Sequence, residues 1–146
     1  MENFIQTTDY NKQIRAQILG IITSDDTDTL HDAEQAAQEE MESYLRTRFD
    51  VGVIFDLEQL PEDRKKIIVM YIVDMAVYHL HSNITPDNIP EIRELRYQRA
   101  LKWLQKVADG KLTPNLPVID NPDDPFANGG SQFFYGGSNE KVTERY

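Results

Sequence analysis

The histidines at positions 79 and 81 are the side chains in this sequence that most resemble a metal-binding pair. They lie near the end of a segment with helical periodicity, and residues two apart on a helix point about 200° away from each other. Such a pair cannot bind one ion together. We therefore predict imidazoles that interact with the dipole at a helix end, and no metal site.

The stretch SDDTD, residues 24–28, carries carboxylates of the type that bind Ca²⁺. It lacks the glycine and the distant bidentate glutamate of an EF-hand loop. We therefore interpret it as a solvated turn that caps the following helix. His31 stands alone in the acidic run that follows, and it is predicted to be a surface or capping residue.

Asp74 lies in the most apolar part of the sequence and could act as an acid with a shifted pKa. A single buried carboxylate is more often paired with a base from a neighbouring helix, and Arg48 and Arg99 are the predicted partners. The sequence contains no nucleophile–base pair, phosphate-binding loop or zinc signature. We therefore expect neither enzyme activity nor a cofactor.

Composition excludes further classes of protein. The chain has 146 residues, a formal net charge of −10 and no cysteine, which excludes disulfides and thiolate metal sites. The negative charge argues against a main role in binding phosphate backbones. The longest apolar run, IIVMYIV, is far shorter than the ~20 residues that span a bilayer, so we expect no membrane association.

Periodicity predicts an all-α fold: a small bundle of three main helices plus a short N-terminal helix, with an extended irregular C-terminal arm. The short helix begins at an N-cap Asp9, and the main helices cover about residues 30–49, 62–82 and 90–109. The helix predicted over residues 62–82 is apolar nearly all round, and we place it at the centre of the bundle. Residues 50–61 are predicted to be a link in which VGVIFDL forms a brief edge strand or a loop.

The fourth helix begins at Pro90, and Gly110 sits where a left-handed C-cap belongs. Pro114 and Pro117 prevent the helix from resuming. We therefore divide the chain into a helical domain, residues 1–111, and an arm, residues 112–146.

Charge is distributed unevenly: residues 1–49 hold four basic and ten acidic side chains, whereas residues 90–111 hold six basic and three acidic ones. The second helix carries an acidic face formed by Asp28, Asp32, Glu39 and Glu42. The fourth carries a basic face formed by Arg93, Arg96, Arg99, Lys102 and Lys106. This basic face could contact nucleic acid, but the net charge favours docking against an acidic helix of the same or an adjacent copy.

The arm is rich in proline and glycine and should not fold alone, yet it carries aromatic side chains. Docking of one arm on one partner would be marginal, whereas repeated docking around a closed assembly would be stable. The predicted partner-binding residues are Phe126, Phe133, Phe134, Tyr135, Arg145 and Tyr146. The composition of the arm and the energetics of its docking therefore indicate a subunit of an assembly.

Three stretches carry a family resemblance: NFIQTTDYNKQI, DAEQAAQEEMESYLRTRFDV and ELRYQRALKWLQKVADGKLTPNLP. Over about residues 3–118 the chain resembles the small head–tail connector (adaptor, or head-completion) proteins of tailed bacteriophages, especially the Mu-like group. None of the three stretches is a catalytic motif. The resemblance rests on their order and spacing together.

The resemblance implies a virion protein that assembles with itself, usually as a ring of twelve copies, between the portal protein and the tail or neck proteins. The ring would continue the DNA channel, and DNA would pass through it without specific binding. The expected location is the virion neck, with the host cytoplasm during assembly. The alternative function is a small acidic binding module, a DNA mimic or a regulator of a basic protein partner.

Overall fold

The computed structural model describes residues 3–119, in which helices are joined by short turns and connecting segments. Residues 3–119 contain no strand, only an isolated antiparallel bridge between Phe49 and Val118. The all-α prediction is therefore confirmed. The α-helices are α1 (Thr7–Tyr10), α2 (Ala16–Thr23), α3 (Thr27–Leu45), α4 (Val51–Ile54), α5 (Lys66–Ile84) and α6 (Glu91–Ala108).

Helix α5 lies at the centre, packed against both α3 and α6, which also contact each other. Its buried side chains occupy every side of the helix, as predicted for residues 62–82. They are Ile68, Tyr71, Ile72, Val73, Asp74, Met75, Ala76, Val77, Leu80 and His81. The neighbouring helices each bury one stripe with three- or four-residue spacing. These stripes consist of Ala33, Ala37, Met41 and Leu45 on α3 and of Ala100, Leu104 and Val107 on α6.

Helix α5 is also long and apolar enough, by length and composition, to cross a bilayer, with a mean hydropathy of 1.3. The short apolar run IIVMYIV therefore understated the apolar character of the helix as a whole. In the fold, 56% of that segment is buried inside the protein. The apolar side chains of α5 pack against the two helices, α3 and α6, that flank it in the core.

The N-terminal part of the chain differs from its prediction. Two short helices replace one, and Ile14 lies buried between them. Asp9 is not an N-cap: it sits at the third position of α1, where its carboxylate accepts the Gln6 backbone N–H at 2.7 Å. In a capping box, an acidic side chain at the third position of the helix bonds to the backbone N–H of the N-cap residue. Asp9 therefore caps α1 from its third position, and the N-cap residue itself is Gln6.

The SDDTD stretch caps α3, as interpreted from the sequence. Asp26 is the N-cap residue, and its carboxylate accepts the Asp28 N–H at 3.0 Å and the Thr29 hydroxyl at 2.7 Å. The strand or loop predicted for VGVIFDL was wrong, because Val51–Ile54 forms the helical turn α4. Asp50 begins it by accepting the Val53 N–H at 3.2 Å.

Helix α5 begins later than predicted, because Pro61–Asp63 forms a separate 3₁₀ turn before it. Helix α6 begins after Pro90, as predicted, and Gly110 adopts the left-handed conformation with φ +78°. The N–H groups of Lys111 and Leu112 then donate to the Lys106 carbonyl at 2.8 and 3.2 Å, which reverses the chain at the end of the helix.

After this reversal the chain returns along the bundle. Leu116 is buried, the Asp50 N–H donates to the Pro117 carbonyl at 2.8 Å, and the Ile119 N–H donates to the Arg48 carbonyl at 3.3 Å. Residues 112–119 therefore contact the helical bundle closely, and the described chain ends beside the C-terminal end of α3.

Candidate interaction surfaces

The acidic face predicted for the second helix lies on α3. Asp28, Asp32 and Glu39 are exposed there, at spacings that place them along one side of the helix. Glu42 is half-buried and already has partners in the same helix, since it accepts the Gln38 amide at 2.9 Å and lies 3.8 Å from Arg46. Three of the four predicted carboxylates are thus directed to solvent.

The predicted basic face of α6 divides into two groups, and the first is engaged within the chain. Arg93 and Arg96 each donate to the Gln13 carbonyl, at 3.1 and 3.3 Å, and Arg96 also donates to Gln13 Oε1 at 2.7 Å. These contacts fasten the segment between α1 and α2 onto α6. They leave the second group of cations, nearer the C-terminal end of α6, to face solvent.

That second group, Arg99, Lys102 and Lys106, lines a groove beside Trp103. The groove consists of two adjoining cavities of about 470 and 360 Å³ that share Trp103 and Leu112. The centroids of the Trp103 and Tyr71 rings lie 5.1 Å apart at an interplanar angle of 40°, and the indole lines both cavities of the groove. We call it the Trp103 groove; its other lining residues are Lys65, Lys66, Ile67, Leu95, Gln98, Thr113, Pro114, Asn115 and Leu116.

Lys65 and Lys66 belong to this surface, although the sequence analysis did not select them. They lie at the start of α5, and Lys66 precedes Arg93, the first cation of the basic stripe of α6, by 27 residues in the sequence. Only the packing of α5 against α6 and the reversal at Gly110 bring them to the same groove. A charge count along α6 alone could not have found them, and five cations and no carboxylate line the groove among the described residues.

Asp74 is buried at 5% exposure, but its predicted partners were wrong. Arg96 is the nearest cation, with Nη1 4.0 Å from Oδ1, whereas Arg48 donates to the Val107 carbonyl and Arg99 faces the groove. Within residues 3–119 Asp74 Oδ1 has no hydrogen-bond partner. Burial raises the pKa of Asp74, although the charges of Arg96, Arg93 and Arg99 oppose that shift.

The two histidines of α5 have different surroundings. His79 Nε2 lies 3.2 Å from Glu40 Oε1, and the Tyr97 hydroxyl donates to the other oxygen of Glu40 at 2.9 Å. His81 is buried, which lowers its pKa together with the charge of Arg93, and within the described chain its Nε2 has no hydrogen-bond partner. His81 is therefore a core residue and not the dipole-stabilised imidazole that the sequence predicted.

His31 makes contacts of its own on α3: Nδ1 lies 3.3 Å from Glu34 Oε2 and Nε2 lies 3.4 Å from Asn3. Residues 3–119 contain no group of three or more side chains placed to bind a metal ion. The six residues predicted to bind a partner through the arm, Phe126, Phe133, Phe134, Tyr135, Arg145 and Tyr146, lie outside the described residues.

Comparison with protein families gives a match that covers most of the chain. Residues 4–133 match the family described as Bacteriophage Mu, Gp36. The chain belongs to the bacteriophage Mu Gp36 family. The match includes α1–α6, the Trp103 groove and the first part of the arm, and it confirms the Mu-like resemblance seen in the sequence.

No curated protein and no solved structure matches this Gp36-family chain. Its classification as a protein of a Mu-like bacteriophage family therefore rests on the family match.

Proposed function

We propose that this Gp36-family chain is a structural virion protein, a head–tail connector that forms a ring between the portal and the tail. The ring continues the DNA channel and supports tail attachment. The observation that carries the proposal is the family membership over residues 4–133, combined with a sequence order that resembles the Mu-like connectors.

The charges on the described surface support assembly of identical copies. Helix α3 presents exposed carboxylates at Asp28, Asp32 and Glu39, and α6 presents the exposed cations Arg99, Lys102 and Lys106. Both helices pack on α5, so each copy carries an acidic surface and a basic surface. A basic surface that binds acidic groups of the next copy produces a closed ring when the rotation between neighbours closes.

The net charge of −10 suits a conduit for DNA. Phosphates repelled by an acidic wall slide along it, whereas a basic wall would retain them through counterion release. In this proposal the cations of α6 contact acidic groups of a neighbouring copy and the aromatic side chains of the arm contact the portal, the next copy or a tail protein. No specific DNA binding is required.

The test uses a phage that lacks this chain. We expect it to accumulate DNA-filled heads and free tails, and we expect purified full-length protein to join them in an infectivity assay. Mass measurement of the purified protein with portal should then give the mass of the portal plus a multiple of the chain mass, 16.9 kDa. Normal joining of heads and tails without the chain, or its absence from purified virions, would contradict the proposal.

The alternative function, a small acidic binding module, gives a different result in the same assays. Such a module would be absent from virions and would bind a basic partner as a monomer or dimer. The exposed carboxylates of α3 are the feature that this alternative would use.

A further inference from the structure

We infer that the Trp103 groove is the receptor for the C-terminal segment, residues 120–146, of a second copy of this chain. The inference rests on the proposed function and deepens it, since it identifies which acidic groups of a neighbour meet the cations of α6.

The groove concentrates positive charge on an acidic protein. Five cations line it without a carboxylate among the described residues, while the chain as a whole carries a net charge of −10. Within residues 3–119, Arg99, Lys102 and Lys106 make no hydrogen bond or ion pair through their side chains, in contrast to Arg93 and Arg96. The groove therefore favours an anionic ligand.

The ligand must also have an apolar part. Trp103 lines both cavities of the groove, Leu112 is 39% exposed and Leu95 is 52% exposed. Apolar side chains grouped in this way are typical of binding surfaces, and an aromatic ligand side chain fits beside the indole. The groove thus fits an extended peptide that carries carboxylates and aromatic side chains close together.

The C-terminal segment has this composition. Asp120, Asp123 and Asp124 are followed directly by Phe126, and the whole segment holds five carboxylates against two basic side chains. The acidic face of α3 offers carboxylates as well, but the exposed residues beside them, including Gln35, Ala36 and Ser43, bring no aromatic ring. Charge and apolar content together favour the segment over α3 as the ligand.

The position at which the described chain ends favours a segment from another copy. Pro117 and Ile119 are bound to Asp50 and Arg48, which lie outside the groove. Leu112–Leu116 form a wall of the groove, and the chain's own continuation would have to turn back over it. Segment 120–146 has 27 residues, and a chain of that length can reach at most about 90 Å, which is enough to reach an adjacent copy.

The experiment uses the full-length chain in which Asp120, Asp123 and Asp124 are replaced by asparagine, so that its own segment does not compete. A synthetic peptide of residues 120–135 is titrated while emission from Trp103, the single tryptophan of the chain, is recorded. We expect a saturable change in emission. The change should require about tenfold more peptide after Lys102→Glu with Lys106→Glu, because two attractive charges become repulsive.

The matched control carries the same change in net charge at Lys12→Glu with Arg15→Glu, two exposed positions outside the groove. Circular dichroism verifies that each variant is folded. The inference is wrong if the peptide causes no saturable change, or if the control weakens binding as much as the groove variant. It is also wrong if an oligonucleotide of equal charge binds the groove more tightly than the peptide does, since the ligand would then be nucleic acid.

A disulfide assay tests whether the segment comes from a second copy, and the absence of native cysteine makes it specific. Full-length chain with Gln98→Cys is mixed with full-length chain carrying Ser131→Cys, and a disulfide between the two chains is expected on oxidation. Replacing Gln98→Cys by Gln35→Cys on α3 should abolish it. A double variant that forms only the intrachain bond would overturn the assignment to a second copy.

The outcomes separate this inference from the proposed function. If the peptide does not bind but the protein still joins heads to tails, the groove assignment fails alone. If the peptide binds as expected but a phage lacking the chain assembles normally, the proposed function fails alone.

Discussion

Arg64 and Asp9 form a bidentate ion pair that fastens the N-terminal segment to the start of α5. Arg64 Nη1 lies 2.7 Å from Asp9 Oδ2, and Nη2 lies 3.1 Å from Oδ1. The same guanidinium donates to the Phe4 carbonyl at 2.7 Å and to the Pro61 carbonyl at 2.8 Å. Both side chains are nearly buried, at 7% and 11% exposure, so their charges depend on each other.

We predict that Arg64→Lys lowers the free energy of unfolding by about 3 kcal/mol, because a lysine cannot form the two-pronged contact and leaves Asp9 poorly paired. Urea denaturation measures the change. The matched control is Arg46→Lys, whose partner Glu42 is 3.8 Å away on the surface of α3, and its effect should stay within about 0.5 kcal/mol. Equal losses in both variants would contradict the importance of the buried pair.

The same pair predicts a pH dependence. Burial acts to raise the pKa of Asp9, but the hydrogen bonds from Arg64 and Gln6 and the charges of Arg64 and Lys12 together hold it below its ordinary value of 3.8. A lowered folded-state pKa contributes stability that is present above 3.8 and is lost as the pH falls through the folded pKa. Urea midpoints between pH 5 and pH 2 should therefore fall more steeply for the wild type than for Asp9→Asn.

The pH dependence of stability that we predict for Asp74 is opposite to that of Asp9. Its pKa is raised by burial, so the folded state holds the proton more tightly and stability falls as the pH rises from 3.8 through the folded pKa. We expect Asp74→Asn to be more stable than the wild type at pH 7, with the difference disappearing below pH 3.8. Thermal melts at the two pH values measure this. A lower melting temperature of the variant at pH 7 would show that Arg96 depends on the carboxylate.

We predict that removing the Tyr97 hydroxyl lowers the free energy of unfolding modestly. Its hydroxyl donates to Glu40 and its ring stacks on Tyr78 at 4.1 Å, so it joins α6 to both α3 and α5. Tyr97→Phe keeps the ring and removes the hydrogen bond, and it should cost about 1 kcal/mol in urea denaturation. Tyr44→Phe serves as the control, since the Tyr44 hydroxyl makes no hydrogen bond within residues 3–119. A larger effect at Tyr44 would contradict this assignment.

Gly110 predicts a conformational effect at the end of α6. Its φ of +78° is unfavourable for residues with a side chain, although open space surrounds the position where a Cβ would lie. Gly110→Val should therefore cost about 1–2 kcal/mol through the backbone alone, whereas Gly110→Asn should cost less because asparagine tolerates this region. Thermal denaturation compares the two, and equal losses would contradict a conformational origin.

The sequence predicted the long helices well because their periodic patterns extend over many residues. The centre of the fold followed from the all-round apolar character of α5, and Pro90 and Gly110 marked the limits of α6. The helical turns α1 and α4 have four residues each, which is too short for a periodic pattern to appear.

The candidate surfaces could be predicted only in part. The basic stripe of α6 is visible in the sequence, but its division is not, because the contact of Arg93 and Arg96 with Gln13 joins residues about eighty positions apart. Lys65 and Lys66 could not be assigned to the Trp103 groove from the sequence either, because only the tertiary packing brings them close to Trp103. The partner of Asp74 was misassigned because the turns of α6 place several arginines near it, and spacing alone does not choose among them.

The backbone bridge between Phe49 and Val118 has a mechanical consequence. It attaches the end of the described chain to the segment that directly follows α3, and Arg48 next to it donates to the Val107 carbonyl of α6. A pulling force applied to the chain beyond residue 119 would load both helices at one end of the bundle. The force would thus be divided between two elements of the core and would not peel a single helix away from it.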